Sequence, residues 1–462
     1  MRARILTAGV ALAALIGWSD ALHAAKSATA SPLQDAQVAL DERLYDRALT
    51  LVEPLTKGDG ALPEARRLKI RVLTRLGRPA DALAEYGRLE AKIGADDDAL
   101  LHEMAMGFIT ALLKDMREQM RGAAYTALKE LDTFEGIPYF EDGLSDGSGL
   151  IRALAAEGLG RSKEGRESPR LRTALEDQAA IVRVAALKGL GRSGQRSVVG
   201  LVEGRLKDEQ PTVRVAASAA LVLLGRVDAW NQVRDAGAAT NPEERGAALR
   251  SLGDLRDRRA LPLLKQALSD SQPSVRGAAA SALGELGAPQ VTAALVPLLA
   301  DPIPAVRAAA AVGLGESRES ESVPALKKAL SDANQAVKAA AASALLHLGR
   351  PYEDVAMAIR DLTQNADPGI RAAAAKALGR SEGPAAQEAI GRLRLLLDDP
   401  LPRPRIAAAR SLGHVQGGER GELVTILKRA LADQDEAVRA TAAGALGRIL
   451  RPSGSGRAQR TD

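Results

Sequence analysis

A basic residue returns along this chain at Arg121, Arg152, Arg183, Arg214, Arg245, Arg276, Arg307, Lys338, Arg371, Arg405 and Arg439. The first seven intervals are all 31 residues, and the last three are 33, 34 and 34. Nine of the eleven copies carry an aspartate six positions earlier: Asp115, Asp146, Asp177, Asp208, Asp270, Asp301, Asp332, Asp399 and Asp433. The two exceptions are Ala239 and Asn365. A period held to the residue over so many intervals defines the architecture before any other signal is weighed.

Each copy reads as a helical hairpin. A first helix follows the pattern of Leu261 to Leu268, and the aspartate region turns the chain. Proline stands three residues before the basic position at Pro211, Pro242, Pro273, Pro304, Pro368 and Pro402, where a first helical turn tolerates the missing N–H. Asn241, Asp367 and Gln272 precede three of these prolines and are expected N-caps. Around Arg276, the residues Val275, Ala278, Ala279, Ala282 and Leu283 fall on one face of a second helix. Glycine eight past the basic residue (Gly191, Gly253, Gly284, Gly315, Gly379, Gly413, Gly447) reads as a left-handed helix cap. One hairpin cannot bury both its faces, so neighbours must stack into a one-dimensional core. The expected fold is all-α, an α-solenoid of stacked helical hairpins. At a helix spacing of about 8–10 Å, eleven units run on the order of 100 Å before curvature.

Composition agrees. Apolar residues make up 46% of the chain but aromatics only 2%, so the packing material is Ala, Leu and Val, suited to helices in close approach. The formal charge of +5 is too small for this length to predict a nucleic-acid partner. The absence of cysteine excludes disulfides, thiolate nucleophiles and Cys-ligated zinc.

Outside the repeats the chain changes character. Arg2 and Arg4 precede an apolar run from Ile5 to Trp18, followed by small residues that include Ala24, Ala25 and Ala30. This is the order of a secretory signal over residues 1–30, with cleavage expected near 24–30, and the run is shorter than the ~20 residues of a spanning helix. The expected location is periplasmic or secreted, with no stable membrane insertion after cleavage; an uncleaved anchor is the alternative. Residues 451–462 read as a disordered tail.

Residues 31–97 carry Tyr45-Asp46-Arg47-Ala48-Leu49 and, 34 residues on from Ala48, Ala82 within Leu76-Gly77-Arg78-Pro79-Ala80-Asp81-Ala82-Leu83-Ala84-Glu85-Tyr86. This stretch resembles the tetratricopeptide repeat, whose period is 34. Gly94 stands where that family closes with proline. The resemblance implies either a small peptide groove or a helical cap on the repeats downstream of it.

The D…VR…AA…LG sentence over residues 98–450 resembles the HEAT family, specifically the short HEAT-like repeats of the phycobilisome-lyase type. The resemblance implies that the nine aspartates and eleven basic residues form a structural hydrogen-bonded ladder between adjacent repeats.

Catalysis has little to work with. His102, His347 and His414 are far apart in sequence, and no nucleophile, metal-binding or phosphate-loop motif occurs. No cofactor, metal or nucleic acid is expected. Binding is expected instead on a ridge five residues past the basic position, where the repeat varies: Glu157, Lys188, Arg250, Ser281, Lys376 and Arg410 are its candidate residues. Phe140 aligns with core leucines, leaving Phe134 and Tyr139 as candidate interface aromatics. The irregular copy around Arg245, with Ala239, Glu244 and Trp230, reads as a hinge or as plain degeneracy. The chain is therefore expected to be a non-enzymatic interaction scaffold of the bacterial envelope, binding a protein partner. A bilin-lyase-type modifying protein and a nucleic-acid-binding solenoid are the alternatives.

Overall fold

A computed structural model describes residues 31–58, 60–131, 133–289 and 291–451. The expected signal segment, and all of the expected tail except Arg451, lie outside these residues. The described residues contain α- and 3-10 helices and no strand. The chain divides into two compact units, one ending at Gly107 and the other beginning at Phe108. The division falls inside the helix Asp98–Thr110, some residues later than the start of the repeats in sequence.

The first unit is a run of helical hairpins: Pro32–Asp41 with Tyr45–Val52, then Pro63–Arg75 with Pro79–Ile93. Ser31 and Gln34 form a capping box that starts it. Pro63 and Pro79 occupy first-turn positions. Ala36, Ala39, Ala48, Val52, Ala65, Leu68 and Val72 form its core. Arg66 is buried beside Glu85, with Lys69 3.3 Å from the same carboxylate. Burial pulls the Glu85 pKa up, but the hydrogen bonds and charges of Arg66 and Lys69 outweigh it and hold it below the usual range.

The second unit contains the second helix of every repeat, the repeats being numbered here from Arg121 (repeat one) to Arg439 (repeat eleven). Their second helices are Glu118–Leu131, Gly149–Leu159, Ala180–Gly191, Pro211–Leu223, Pro242–Leu255, Pro273–Leu286, Pro304–Glu316, Gln335–His347, Pro368–Leu378, Pro402–Leu412 and Glu436–Leu450. The prolines fall in first turns, and Asn241 and Asp367 cap through their side chains. Gln272 makes no side-chain cap bond; the N–H of Gln272 instead donates to Asp270 Oδ1 at 2.8 Å. Val275, Ala278, Ala279, Ala282 and Leu283 are all buried.

The glycines eight past the basic residue are not left-handed caps, although Gly379 and Gly413 do end their helices. Gly191, Gly253, Gly284, Gly315 and Gly447 lie within their helices, and Gly379 and Gly413 are right-handed at φ −65 and −69. The left-handed position comes three residues later, at Gly194, Gly225, Gly287 and Gly349. The earlier glycine is instead where adjacent helices touch. A Cβ at Gly284 would lie 2.5 Å from the Gly313 carbonyl oxygen, and one at Gly191, Gly253 or Gly315 would lie 2.8 Å from the Cα of Ala220, Ala282 or Ala344. In each pair the neighbour is the small residue six past the next repeat's cation. Glycine facing a small residue lets the second helices pack closer than side chains otherwise permit.

The consequence is closure. Every second helix packs on the next, and Glu436–Leu450 of repeat eleven packs on Glu118–Leu131 of repeat one. A Cβ at Gly444 would lie 2.8 Å from the Ala127 carbonyl oxygen. Arg448 Nη1 and His414 Nε2 each lie 3.1 Å from Glu130 Oε2. Arg451 Nη2 donates to the Glu130 carbonyl at 2.6 Å, and also to that of Leu131. Arg117 pairs with Glu436. The extended run of about 100 Å expected from stacking is thus bent into a ring. The second helices form its inner layer. Ion pairs that skip a repeat, such as Lys188–Asp254 and Arg380–Glu316, run between residues in or just past second helices, and only the inner side of a curved wall brings next-nearest helices together. Eleven axes spaced about 8–10 Å apart make a circle about 30 Å across, leaving a lumen of about 20 Å once side chains are allowed for.

Candidate functional site

The aspartates and cations form forks between repeats. In eight junctions the Nε and Nη2 of one arginine donate to both oxygens of the next repeat's aspartate. The pairs are Arg121–Asp146, Arg152–Asp177, Arg183–Asp208, Arg245–Asp270, Arg276–Asp301, Arg307–Asp332, Arg371–Asp399 and Arg405–Asp433, all at 2.6–3.0 Å. Nη1 of the same arginine bonds a backbone carbonyl six residues before it, as Arg183 does with Asp177 O at 2.7 Å. Each aspartate also accepts the N–H two residues on, as Asp208 does from Gln210 at 3.0 Å. Helix start, turn and neighbour are tied by one carboxylate. Arginine suits this because its planar fork matches two carboxylate oxygens. The arginine bonds hold the carboxyls of Asp177, Asp270, Asp301, Asp332 and Asp399 below the usual range against opposing burial. At Asp208 burial acts first and upward, and the bonds from Arg183 and Gln210 still bring the net shift down.

Three cations make no such fork. Arg214 faces Ala239 where an aspartate would stand, and reaches Glu244 Oε1 at 3.5 Å. Lys338 faces Asn365 and lies 4.0 Å from Asp361. Arg439 bonds its own repeat's carbonyls and pairs with Glu436 at 3.7 Å, while Asp115 is taken by Arg117 at 2.8 Å. The ladder expected to use all nine aspartates and eleven cations therefore omits Asp115, Arg214, Lys338 and Arg439 as rungs. At the seam the helices also meet closely, a Cβ at Gly444 lying 2.8 Å from the Ala127 carbonyl oxygen, but no rung accompanies the contact.

The ridge residues Glu157, Lys188, Arg250 and Lys376 are exposed, and Ser281 and Arg410 are half-buried. All six belong to the inner layer. Glu157 pairs with Lys129 at 2.6 Å, and Lys188 pairs with Asp254 at 3.2 Å.

Four residues further on, one turn along the same face, lies a register that the sequence pattern alone does not single out: Glu130, Arg161, Arg192, Leu223, Asp254, Glu285, Glu316, His347, Arg380, His414 and Arg448. Ten of these eleven are ionisable, a signal available in the alignment of the repeats. Asp254, Glu285 and Glu316 make an acidic arc. Burial, reinforced by the charges of Asp254 and Glu316, pushes the Glu285 carboxyl up. His347 sits with Nδ1 3.0 Å from Glu382 and Nε2 3.7 Å from Glu316, while Arg380 and Arg318 pair with those carboxylates at 2.7 and 3.0 Å. Burial and the two arginine charges hold the His347 pKa below its ordinary value. Burial raises Glu130, but His414, Arg448 and Arg161 more than reverse this, to about 2. Both histidines thus belong to ion-pair clusters in the wall. Among the described residues no group of three or more His, Asp or Glu is placed to hold a metal, and no helix is long and apolar enough to cross a membrane.

Phe140 is buried against Tyr125 with ring centroids 6.2 Å apart; Tyr139 is half-buried, and Phe134 is 72% exposed. Trp230 fills the irregular fifth repeat, with the Arg259 guanidinium 4.4 Å from its ring centroid.

The family model for HEAT repeats matches residues 231–315, 292–353, 323–394 and 390–458. Residues 231–458 are HEAT repeats. No curated protein matches the sequence. Solved structures similar to this chain include human deoxyhypusine hydroxylase in complex with glycerol, at 20% identity and a TM-score of 0.31, covering 56% of this chain and 98% of that one. They also include the complex of CpcE and CpcF of phycocyanin lyase from Nostoc sp., at 23% identity and 0.34, covering 48% and 92%. A third is Kap121p bound to Nup53p, at 16% identity and 0.34, covering 89% and 55%.

Proposed function

We propose that this chain is a non-catalytic collar of the cell envelope that holds a polypeptide segment of a partner protein in its lumen. The observation that carries the reading is the division of labour along each inner helix. The recurrent ionisable residues are spent on rungs within the wall, as Arg183 and Asp208 are. Variation is concentrated five and nine residues past the basic position, on the inner layer. A lumen of about 20 Å accepts one α-helix of about 10–12 Å or an extended chain. Basic Arg250, Lys376 and Arg410 on the ridge, against the lone acidic Glu157, favour a partner segment with acidic side chains. Export is supported by the basic-then-apolar order of residues 2–18 followed by small residues.

The test is capture from cell envelopes with the full-length chain, beside a variant carrying Arg250→Glu, Lys376→Glu and Arg410→Glu. The reading expects a protein retained by the unsubstituted chain and lost with the variant at unchanged folding. Equal retention by both, or recovery of the native chain only from cytosolic fractions, would overturn it.

A further inference from the structure

The three junctions without a fork are not scattered. They follow repeats four, eight and eleven, cutting the ring into arcs of four, four and three repeats. Within each arc every junction carries a bidentate Arg–Asp rung at 2.6–3.0 Å. Each of the same three repeats is spanned on the luminal side by a salt bridge or, for His414, a histidine–carboxylate contact joining its two neighbours. Lys188 of repeat three reaches Asp254 of repeat five at 3.2 Å. Arg380 of repeat nine reaches Glu316 of repeat seven at 2.7 Å. His414 of repeat ten reaches Glu130 of repeat one at 3.1 Å. The wall is therefore tied at the helix N-termini along the arcs, and at the luminal C-terminal rim across repeats four, eight and eleven. Each of these repeats thus lacks the rung that follows it and is bridged by its two neighbours, which marks it as a corner of the wall. Backbone strain sits beside two of them: Arg256 and Arg318, at φ 53 and 56, occupy the left-handed position that glycine fills in other repeats.

We propose that the second unit is a three-jointed collar whose ladder-stiffened arcs pivot at repeats four, eight and eleven, with the rim pairs Lys188–Asp254, Arg380–Glu316 and His414–Glu130 setting its closed width. Rungs on one edge and pairs on the other make the two edges mechanically unequal. Breaking a rim pair lets a corner open, whereas adding a rung fixes it. The device does not depend on what the lumen holds.

Hydrogen exchange on the full-length chain tests it. Amides of the corner helices Pro211–Leu223, Gln335–His347 and Glu436–Leu450 should exchange at least about tenfold faster than those of the mid-arc helices Ala180–Gly191 and Pro273–Leu286, because exchange reports local opening. Equal protection in both sets overturns the proposal. The second measurement is Ala239→Asp, which supplies the carboxylate that Arg214 lacks; Arg214 Nη1 already bonds Asp208 O at 3.0 Å, in the pose of the rung-forming arginines. This variant should slow exchange across the junction between repeats four and five and leave the other two corners unchanged. No slowing there, in a folded variant, contradicts the assignment of the missing rung as the joint.

Discussion

Two glycines in one helix should respond to alanine with opposite signs. Both Gly277 and Gly284 lie inside Pro273–Leu286, where helix propensity alone favours alanine by about 1 kcal/mol. At Gly277 the new Cβ meets nothing closer than Ala309 Cβ at 3.7 Å, an ordinary contact. Gly277→Ala should therefore stabilise the ring by about 0.5–1 kcal/mol. At Gly284 the new Cβ lies 2.5 Å from Gly313 O, 2.6 Å from its Cα and 2.9 Å from its C. All three atoms are backbone, so no side-chain rotation relieves the clash and the two helices must part. A gap of about 0.5–1 Å forfeits a quarter to a half of each dispersion contact along the seam they share, and overpacking of this kind costs about 1–3 kcal/mol. Net of a propensity gain of about 1 kcal/mol, Gly284→Ala should therefore destabilise by up to about 2 kcal/mol. Urea titration of the full-length variants followed by far-UV circular dichroism reads the difference, with exchange mass spectrometry on this helix to localise it. If Gly284→Ala is as stabilising as Gly277→Ala, the glycine is not a helix-contact residue and the basis for tight curvature is wrong.

Charge substitutions carry expectations of their own. Asp208→Ala removes both fork bonds from Arg183, whose side chain is only 7% exposed, and should cost about 3 kcal/mol at neutral pH by urea titration. Because the folded Asp208 pKa is lowered, its contribution is present above the unfolded value of about 3.9 and lost as pH falls through the folded one, so the cost should shrink below about pH 4. Glu285→Gln should act in the other direction. Burial and the charges of Asp254 and Glu316 raise the folded pKa, so native Glu285 favours its proton; because the side chain is exposed and screened, the substitution should stabilise by only about 0.2–0.5 kcal/mol at pH 7 and confer nothing below about pH 4, and an unchanged gain at low pH would exclude the carboxylate charge as its source.

The repeat unit is legible in sequence because one aspartate and one cation recur at a fixed spacing, and that spacing is what the rungs require. The buried stripe around Arg276 follows from helical periodicity for the same reason. Gly284 is ambiguous in sequence because a helix cap and a helix contact ask for the same residue, and only the neighbouring helix distinguishes them. Closure is encoded in no single copy. It is the sum of small rotations set by pairs such as Gly253–Ala282 and Gly315–Ala344, and a repeat read alone does not carry that sum. Its traces are present: Gly444 on a ridge otherwise mostly polar or charged, and Ala239 and Asn365 where aspartate is due. The rim register from Glu130 to Arg448 escapes a search for sameness because its residues differ in sign and share only the property of being ionisable.

Repeat eleven meets repeat one across the seam. Since the chain has no cysteine, Arg117→Cys with Glu436→Cys places two unique thiols where the native side chains touch across the seam, 319 residues apart in sequence. Treatment with a short bismaleimide, then denaturing electrophoresis, reports whether they are neighbours. A closed ring predicts an intramolecular crosslink in high yield, seen as a compact, faster-migrating chain that cleavage between the two sites does not separate into fragments. An open solenoid would hold the sites tens of ångströms apart, and the absence of that species, with only singly modified or intermolecular products, would contradict the ring.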